Sequence, residues 1–250
     1  MKREDFSWIK FSHENVTMIS RIEAIRKIID QEVGLEPCLP GIAEIEQRYD
    51  ALYHDYIDGK LKHRELYDLA SDLDMDIDKL YSKMRHEWIL ANESTFVALR
   101  KRAQNLTSFD EVQETFEKFA TDEAMLNLRV DLSEEQIDEE RQKIQEQLNA
   151  YRNMVFSYIL TTDEWNDDFV KDILDIIASD LVDPYTINMI VSAVSLSCSV
   201  FMDAPRLAVL MRLIKSDDST CSVRQRALVG FVFSAITNSG EKQKYWDSAA

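Results

Sequence analysis

Residues 183–215 read DPYTINMIVSAVSLSCSVFMDAPRLAVLMRLIK. Tyr185 to Met202 carries no charged side chain, and Asp183-Pro184 and Asp203-Ala204-Pro205 stand immediately before its two apolar runs. Proline loses nothing in a first helical turn, where its missing N–H has no partner, and aspartate caps the amides it leaves open. Two helices joined by a link of a few residues are therefore expected, and so short a link forces neighbours to pack antiparallel. The uncharged run is long enough to raise the question of a membrane span. Thr, Asn and Ser interrupt it, and no Lys/Arg asymmetry flanks it. It reads as a helix covered by protein.

The same pattern extends in both directions. Helices are expected over about 163–179, 184–202, 205–216 and 222–237, the second and fourth apolar nearly all round and hence covered on several sides. Upstream, Met18, Ile19, Ile22, Ile25, Ile29 and Val33 share one stripe. After a break at Gly34 to Gly41, Ile42, Ile45, Tyr49, Leu52 and Tyr56 share another, which Asp58-Gly59 ends. Leu66, Leu69, Ala70 and Leu73 predict one short helix, and Leu80, Tyr81, Met84 and Trp88 a second. Ser108-x-x-Glu111, Ser133-x-x-Gln136, Thr161-x-x-Glu164 and Ser222-x-x-Gln225 have the form of capping boxes. Strand alternation is sustained nowhere, and five glycines and four prolines in 250 residues are too few for a turn-rich β fold. The fold class is all-α.

Composition shifts near residue 160, from a strongly acidic stretch to a more apolar one. Two regions are expected: a helical bundle over 1–160 and a helical region over 161–250. The long helix starting at Ser133 would run to about Leu160 and join them.

The last helix pair resembles a HEAT/armadillo-type repeat. Leu210, Leu213 and Ile214 resemble the ridge of a first helix, and Asp217-Asp218 the turn between helices. Val223-Arg224-x-x-Ala227-Leu228 resembles the start of a second helix. Aligning Ala193 with Gly230 gives an offset of 37 residues, within the range of helical repeats. The resemblance covers about 163–237 and implies an α-solenoid start of antiparallel helix pairs that binds partners rather than performing chemistry. Two repeats bury too little alone, so either the N-terminal helices cap the stack or the chain continues; Trp246 to Ala250 offers no obvious polar capping helix, and the expectation is a piece of a longer repeat protein.

The net charge is −17. Nucleic acids and anionic membranes are bound mainly through Lys and Arg, so neither is an expected partner. The densest basic run, Arg100-Lys101-Arg102, is a solvated helix face. Cys38, Cys198 and Cys221 form no CxxC and are odd in number, which points to a reducing compartment, the cytoplasm. Cys198 reads as a small core residue and Cys221 as a thiol near a helix N-terminus.

Patterns that carry chemistry fail when tested. Asp72-x-Asp74-x-Asp76-x-Asp78 has the start of an EF-hand loop. Ile77 stands where that loop needs its glycine, and Lys83 where it needs its bidentate glutamate. An acidic helix-capping turn is the better reading. His13, His54, His63 and His86 make no zincin or di-iron motif, and no phosphate loop or nucleophile elbow occurs. No cofactor, metal or catalytic residue is therefore expected.

Tyr49, Tyr53, Tyr56 and Tyr67 are expected to complete a seam between helices, with Tyr53 and Tyr56 as candidates for a binding face. Asp163, Glu164, Asp167 and Asp168 offer an acidic surface that would suit a basic protein partner. The function expected is a non-catalytic protein–protein interaction scaffold. The alternative is a helical accessory or regulatory domain of a larger enzyme or assembly.

Overall fold

The computed structural model describes residues 17–163, 165–216 and 219–237. Among them the chain is entirely helical, with no strand. It divides into two compact units, 1–96 and 97–250. Helix α4 (Ser94–Ala103) crosses the point of division. Residue 160, where the composition shifts, lies in the last turn of a helix within the second unit.

The first unit is built from α1 (Met18–Gln31), a 3-10 turn (Glu36–Cys38), α2 (Leu39–Ile57) and α3 (His63–Asn92). Ile22, Ile25 and Ile29 of α1, Ile42 and Ile45 of α2, and Leu73, Ile77, Leu80 and Met84 of α3 meet in one core. The two short helices expected over 66–88 are a single rod of 30 residues. No glycine or proline interrupts it, and the apolar stripe passes through the acidic run without a phase change. Asp72 to Asp78 is therefore mid-helix, not a capping turn. Its carboxylates meet cations from the neighbouring helices: Asp74 and Asp78 bind Arg21 of α1, the second at 2.8 Å, and Asp76 binds Arg48 of α2. Gly34 links α1 to the turn with φ +93°, and a Cβ there would overlap Ala91 of α3. Both facts demand glycine.

The second unit contains α5 (Val112–Leu126), α6 (Glu134–Thr161), α7 (Asp167–Ala178), α8 (Pro184–Val200), α9 (Ala204–Lys215) and α10 (Cys221–Thr237). The last four match the expected helices to within a few residues. Asp183 caps α8 by accepting from the amides of Tyr185 and Thr186, both at 3.0 Å. Asp203 caps α9 by accepting from Arg206 N at 2.9 Å. Ser133 and Gln136 form the expected capping box.

The other three boxes are not formed. Ser108 bonds Asp110, and Glu111 takes the cap position of α5. Thr161 ends α6 and donates to Ser157 O at 2.8 Å, because the apolar stripe of Val155 and Ile159 carries that helix through it. Asn166 caps α7 instead, accepting from Phe169 N at 2.8 Å. Ser222 lies inside α10, and Thr220 accepts from Val223 N at 3.3 Å.

Cross-helix contacts give the directions. Gln145 of α6 donates to Glu123 of α5, Phe116 and Phe119 pack on Tyr151, and Phe109 packs on Tyr158. Numbers rise on one chain segment as they fall on the other, so α5 and α6 are antiparallel. Phe109 meets Phe169, and Ser179 donates to Glu117 at 2.8 Å, so α7 runs parallel to α5. Ser222 bonds Asn188, Arg226 bonds Ser192, and Ser199 bonds Ser234. These pairs are separated by 34, 34 and 35 residues, so α10 runs parallel to α8 and in register with it.

Small residues set that register. A Cβ on Gly230 would overlap Ser195 Oγ and Cβ, so the two backbones approach as closely as glycine permits. Ser195 and Ser234 turn their hydroxyls back to Val191 O and Gly230 O, at 2.8 and 2.9 Å. They satisfy themselves and act as small spacers. Helix α8 is covered by α6, α7, α9 and α10, as its apolar circumference implies. Helix α10 is not covered on all sides: Leu228, Val229, Val232, Phe233 and Ile236 are exposed. Gly230→Ala should destabilise the chain by about 1–3 kcal/mol through overpacking. Adding Ser195→Gly should recover part of that loss, as read from urea-denaturation midpoints.

Candidate protein-interaction surface

Helix α7 buries Phe169, Val170, Ile173 and Ile176, which leaves its acids on the other side. Asp163, Asp167 and Asp168 are exposed. Glu164 lies outside the described residues. Asp168, Asp172 and Asp175 fall at helical spacing, and Asp110, from the turn before α5, adds a further negative charge at Asp172. Partial burial pushes the Asp172 carboxyl above its ordinary value. Asp110, Asp175 and Asp168 add to the effect and Lys171 opposes it. Lys171 also pairs with Asp175 at 3.3 Å. The region is thus a negative surface with little internal neutralisation.

Tyr53 and Tyr56 belong to the first unit, and the acids to the second. The seam expected from the four tyrosines does not form. Tyr53, Tyr56 and Tyr67 are exposed, and only Tyr49 packs partly against the first core. Tyr49, Tyr53 and Tyr56 lie in the C-terminal half of α2, after Ile42 and Ile45, and Tyr67 lies in the second turn of α3. Tyr49 and Tyr53 stack on one another at 6.5 Å.

The acidic surface stands beside a buried arginine that spacing alone did not single out. Arg206 is 3% exposed. Its Nε donates to Ser197 Oγ at 2.9 Å, its Nη2 to Thr162 O at 2.8 Å, and its Nη1 to Asp203. The guanidinium lies over the Trp165 ring at 4.7 Å, with Phe201 at 5.8 Å. One side chain therefore ties the ends of α6 and α8 to the start of α9. The sequence signal is Asp203-x-x-Arg206, a cation three residues after a helix cap in an otherwise apolar stretch.

A second such junction joins Arg152 of α6 to Asp183 at 2.8 Å and Thr186 at 2.7 Å. Burial would raise the Asp183 carboxyl, but hydrogen bonds from Thr186 and Arg152 outweigh it and hold the group below its ordinary value.

Cys198 is fully buried in α8, and burial pushes its thiol up to about 11, so it stays protonated at neutral pH. Cys221 is exposed at the first residue of α10, and Cys38 is buried in the first unit. His54 and His63 are exposed on either side of the α2–α3 turn. No helix among the described residues is long and apolar enough to cross a membrane.

No family model, curated protein or solved structure matches the chain.

Arg206→Ala should cost about 3–5 kcal/mol, because it strands a capping carboxylate beside a buried hydrogen-bond set. The pair Asp203→Asn with Arg206→Met should cost less, as measured by chemical denaturation. At Asp172 the raised folded-state value means that the unfolded chain releases its proton first. Stability should therefore fall as pH rises through the interval just above about 3.9. Asp172→Asn should raise the melting temperature at about pH 7 and leave it nearly unchanged at about pH 3, as followed by circular dichroism.

Proposed function

We propose that the chain is a helical-repeat scaffold that binds a basic protein partner through the acidic surface of α7. The observation that carries this reading is the pairing order of the second unit. Helices α5 and α6, α7 and α8, and α9 and α10 form successive pairs, with α7 beside α5 and α10 parallel to α8. Such an order supports the reading as a HEAT-like α-solenoid, a fold whose repeats each contact only their neighbours. It supports extending the resemblance seen over 163–237 upstream to α5 and α6. Leu210, Leu213, Val223 and Ala227 are buried, which supports the resemblance, while Ile214 is half-buried and Leu228 is exposed. Asp217 and Asp218, assigned to the inter-helix turn, lie outside the described residues.

The role follows from what the surface offers. Asp163, Asp167, Asp168, Asp172 and Asp175 present carboxylates on one helix and the segment before it, with Lys171 as their single cation of that segment. Charges of one sign on a rigid face speed encounter with the opposite sign and select against like-charged partners. Tyr53 and Tyr56, exposed on α2, are candidates for a separate contact made by the first unit.

The test is binding of Lys/Arg-rich helical peptides to the intact chain across ionic strength, with acidic peptides of equal length as controls. Basic peptides should bind, and their affinity should fall as salt rises. The triple variant Asp163→Asn, Asp167→Asn and Asp168→Asn should bind at least about tenfold more weakly, a loss of roughly 1.4 kcal/mol. Equal binding of acidic and basic peptides, or affinity indifferent to salt, would refute the electrostatic reading.

A further inference from the structure

We infer that the segment from Phe6 to Phe11, ahead of α1, docks on the free end of the α2–α3 hairpin and covers its exposed tyrosines. Burial fades along two stripes toward that end. On α2 the stripe runs Ile42, Ile45, Tyr49, Leu52 and Tyr56. Ile42 and Ile45 are buried, Tyr49 and Leu52 pack partly on the core, and Tyr56 is 48% exposed. On α3 the stripe that buries Met84, Leu80, Ile77 and Leu73 reaches Leu69, which is 44% exposed. Tyr53, Ile57 and Tyr67 stand open beside them.

The third helix of the first unit stops short of that end. Arg21 of α1 meets Asp74 and Asp78 of α3, Glu32 accepts from Trp88 Nε1 at 3.2 Å, and Gly34 lies against Ala91. The numbers rise together, so α1 runs parallel to α3 and its first turn stands level with Asp74. The part of α3 from His63 to Asp72 therefore extends about 15 Å past the start of α1. Over that length α2 and α3 form a two-helix ridge, with no third element of the first unit on it among the described residues. The start of α1 points along α3 toward this ridge, so the residues before it are delivered there. Residues 1–16 lie outside the described residues. A segment of that length spans up to about 50 Å when extended, well over the length to be covered.

Its chemistry fits the ridge. Phe6, Trp8, Ile9 and Phe11 put four large apolar side chains into one short run. Trp8 and Phe11 stand two heptads ahead of Ile22 and Ile25, the residues by which α1 enters the core, so the pattern that holds α1 on α2 and α3 is repeated upstream. Lys10 is the only charge between Phe6 and Phe11. On the ridge Asp68 and Asp72 flank Leu69 and are exposed. Tethering decides between this occupant and others. A segment joined to its site by a short link acts at an effective concentration of about 1 mM, so at equal intrinsic affinity it excludes a second copy or a separate protein present at micromolar levels. Tyr53 and Tyr56 are then open to a partner only when the segment leaves.

Hydrogen exchange on the intact chain, read by mass spectrometry, tests the assignment. Trp8→Ser combined with Phe11→Ser should speed exchange at least about tenfold over residues 52–57 and 66–70, and leave α8 and α9 unchanged. In a background of Tyr56→Ser and Leu69→Ser, both exposed positions, the same pair should add less than about twofold, because its site is already lost. Unchanged exchange in the Trp8 and Phe11 variant, or an equal effect in both backgrounds, would overturn the inference. So would protection that grows with chain concentration between about 1 and about 100 µM, which would give the site to the segment of a second copy. None of these outcomes bears on peptide binding at α7, which uses residues of the second unit.

Discussion

The guanidinium of Arg206 meets Thr162 O, Ser197 Oγ and Asp203 within one buried spot, under the Trp165 ring. Three helix ends converge there, and each would otherwise carry open carbonyls or a hydroxyl into an apolar interior. Burying those groups costs free energy unless each finds a partner. One planar cation with several donors satisfies them together, which a lysine could not do in the same geometry. The placement of α9 against α6 and α8 follows from it, and through α9 so does the position of α10. At the other end of α8, Arg152 does the same for the α7–α8 link by holding Asp183, itself the cap of α8.

The sequence carries the helices of the second unit almost in full. Asp183-Pro184 and Asp203-Ala204-Pro205 mark their starts through local chemistry that depends on neighbours in the chain alone. The errors fall where a local pattern competes with a tertiary one. Thr161 and Ser222 have box-like spacing, but apolar periodicity carries α6 through the first and starts α10 before the second. The run Asp72 to Asp78 looks like a turn only if its charges are left unpaired. Arg21 and Arg48, distant in sequence, make it a stable stretch of helix. Tyr49 and Tyr56 of α2 continue the stripe of the buried isoleucines, but only Tyr49 packs against the core and Tyr56 is exposed, so spacing alone could not tell seam from surface.

The candidate surface was legible in part. Asp167 and Asp168 stand at the start of an amphipathic helix, and amphipathicity alone dictates that they face out. The influence of Asp110 on Asp172 comes from α5 lying parallel to α7, and one sequence does not encode that neighbour relation in any short motif. The open side of α10 is a related case. An all-round apolar helix implies cover, and the cover is found for α8 but not for α10.

The regular spacing between α8 and α10 also governs how this chain can change length. Each turn of one helix is matched to a turn of the other through Asn188, Ser192, Ser195 and Ser199. One residue inserted after Gly230 would swing everything beyond it by about 100°, lifting Ser234 away from Ser199 and turning the apolar face elsewhere. The same insertion in the link after Ser216 would be absorbed without moving a matched pair. Length variation among natural versions of this protein should therefore collect in its links and spare its rods.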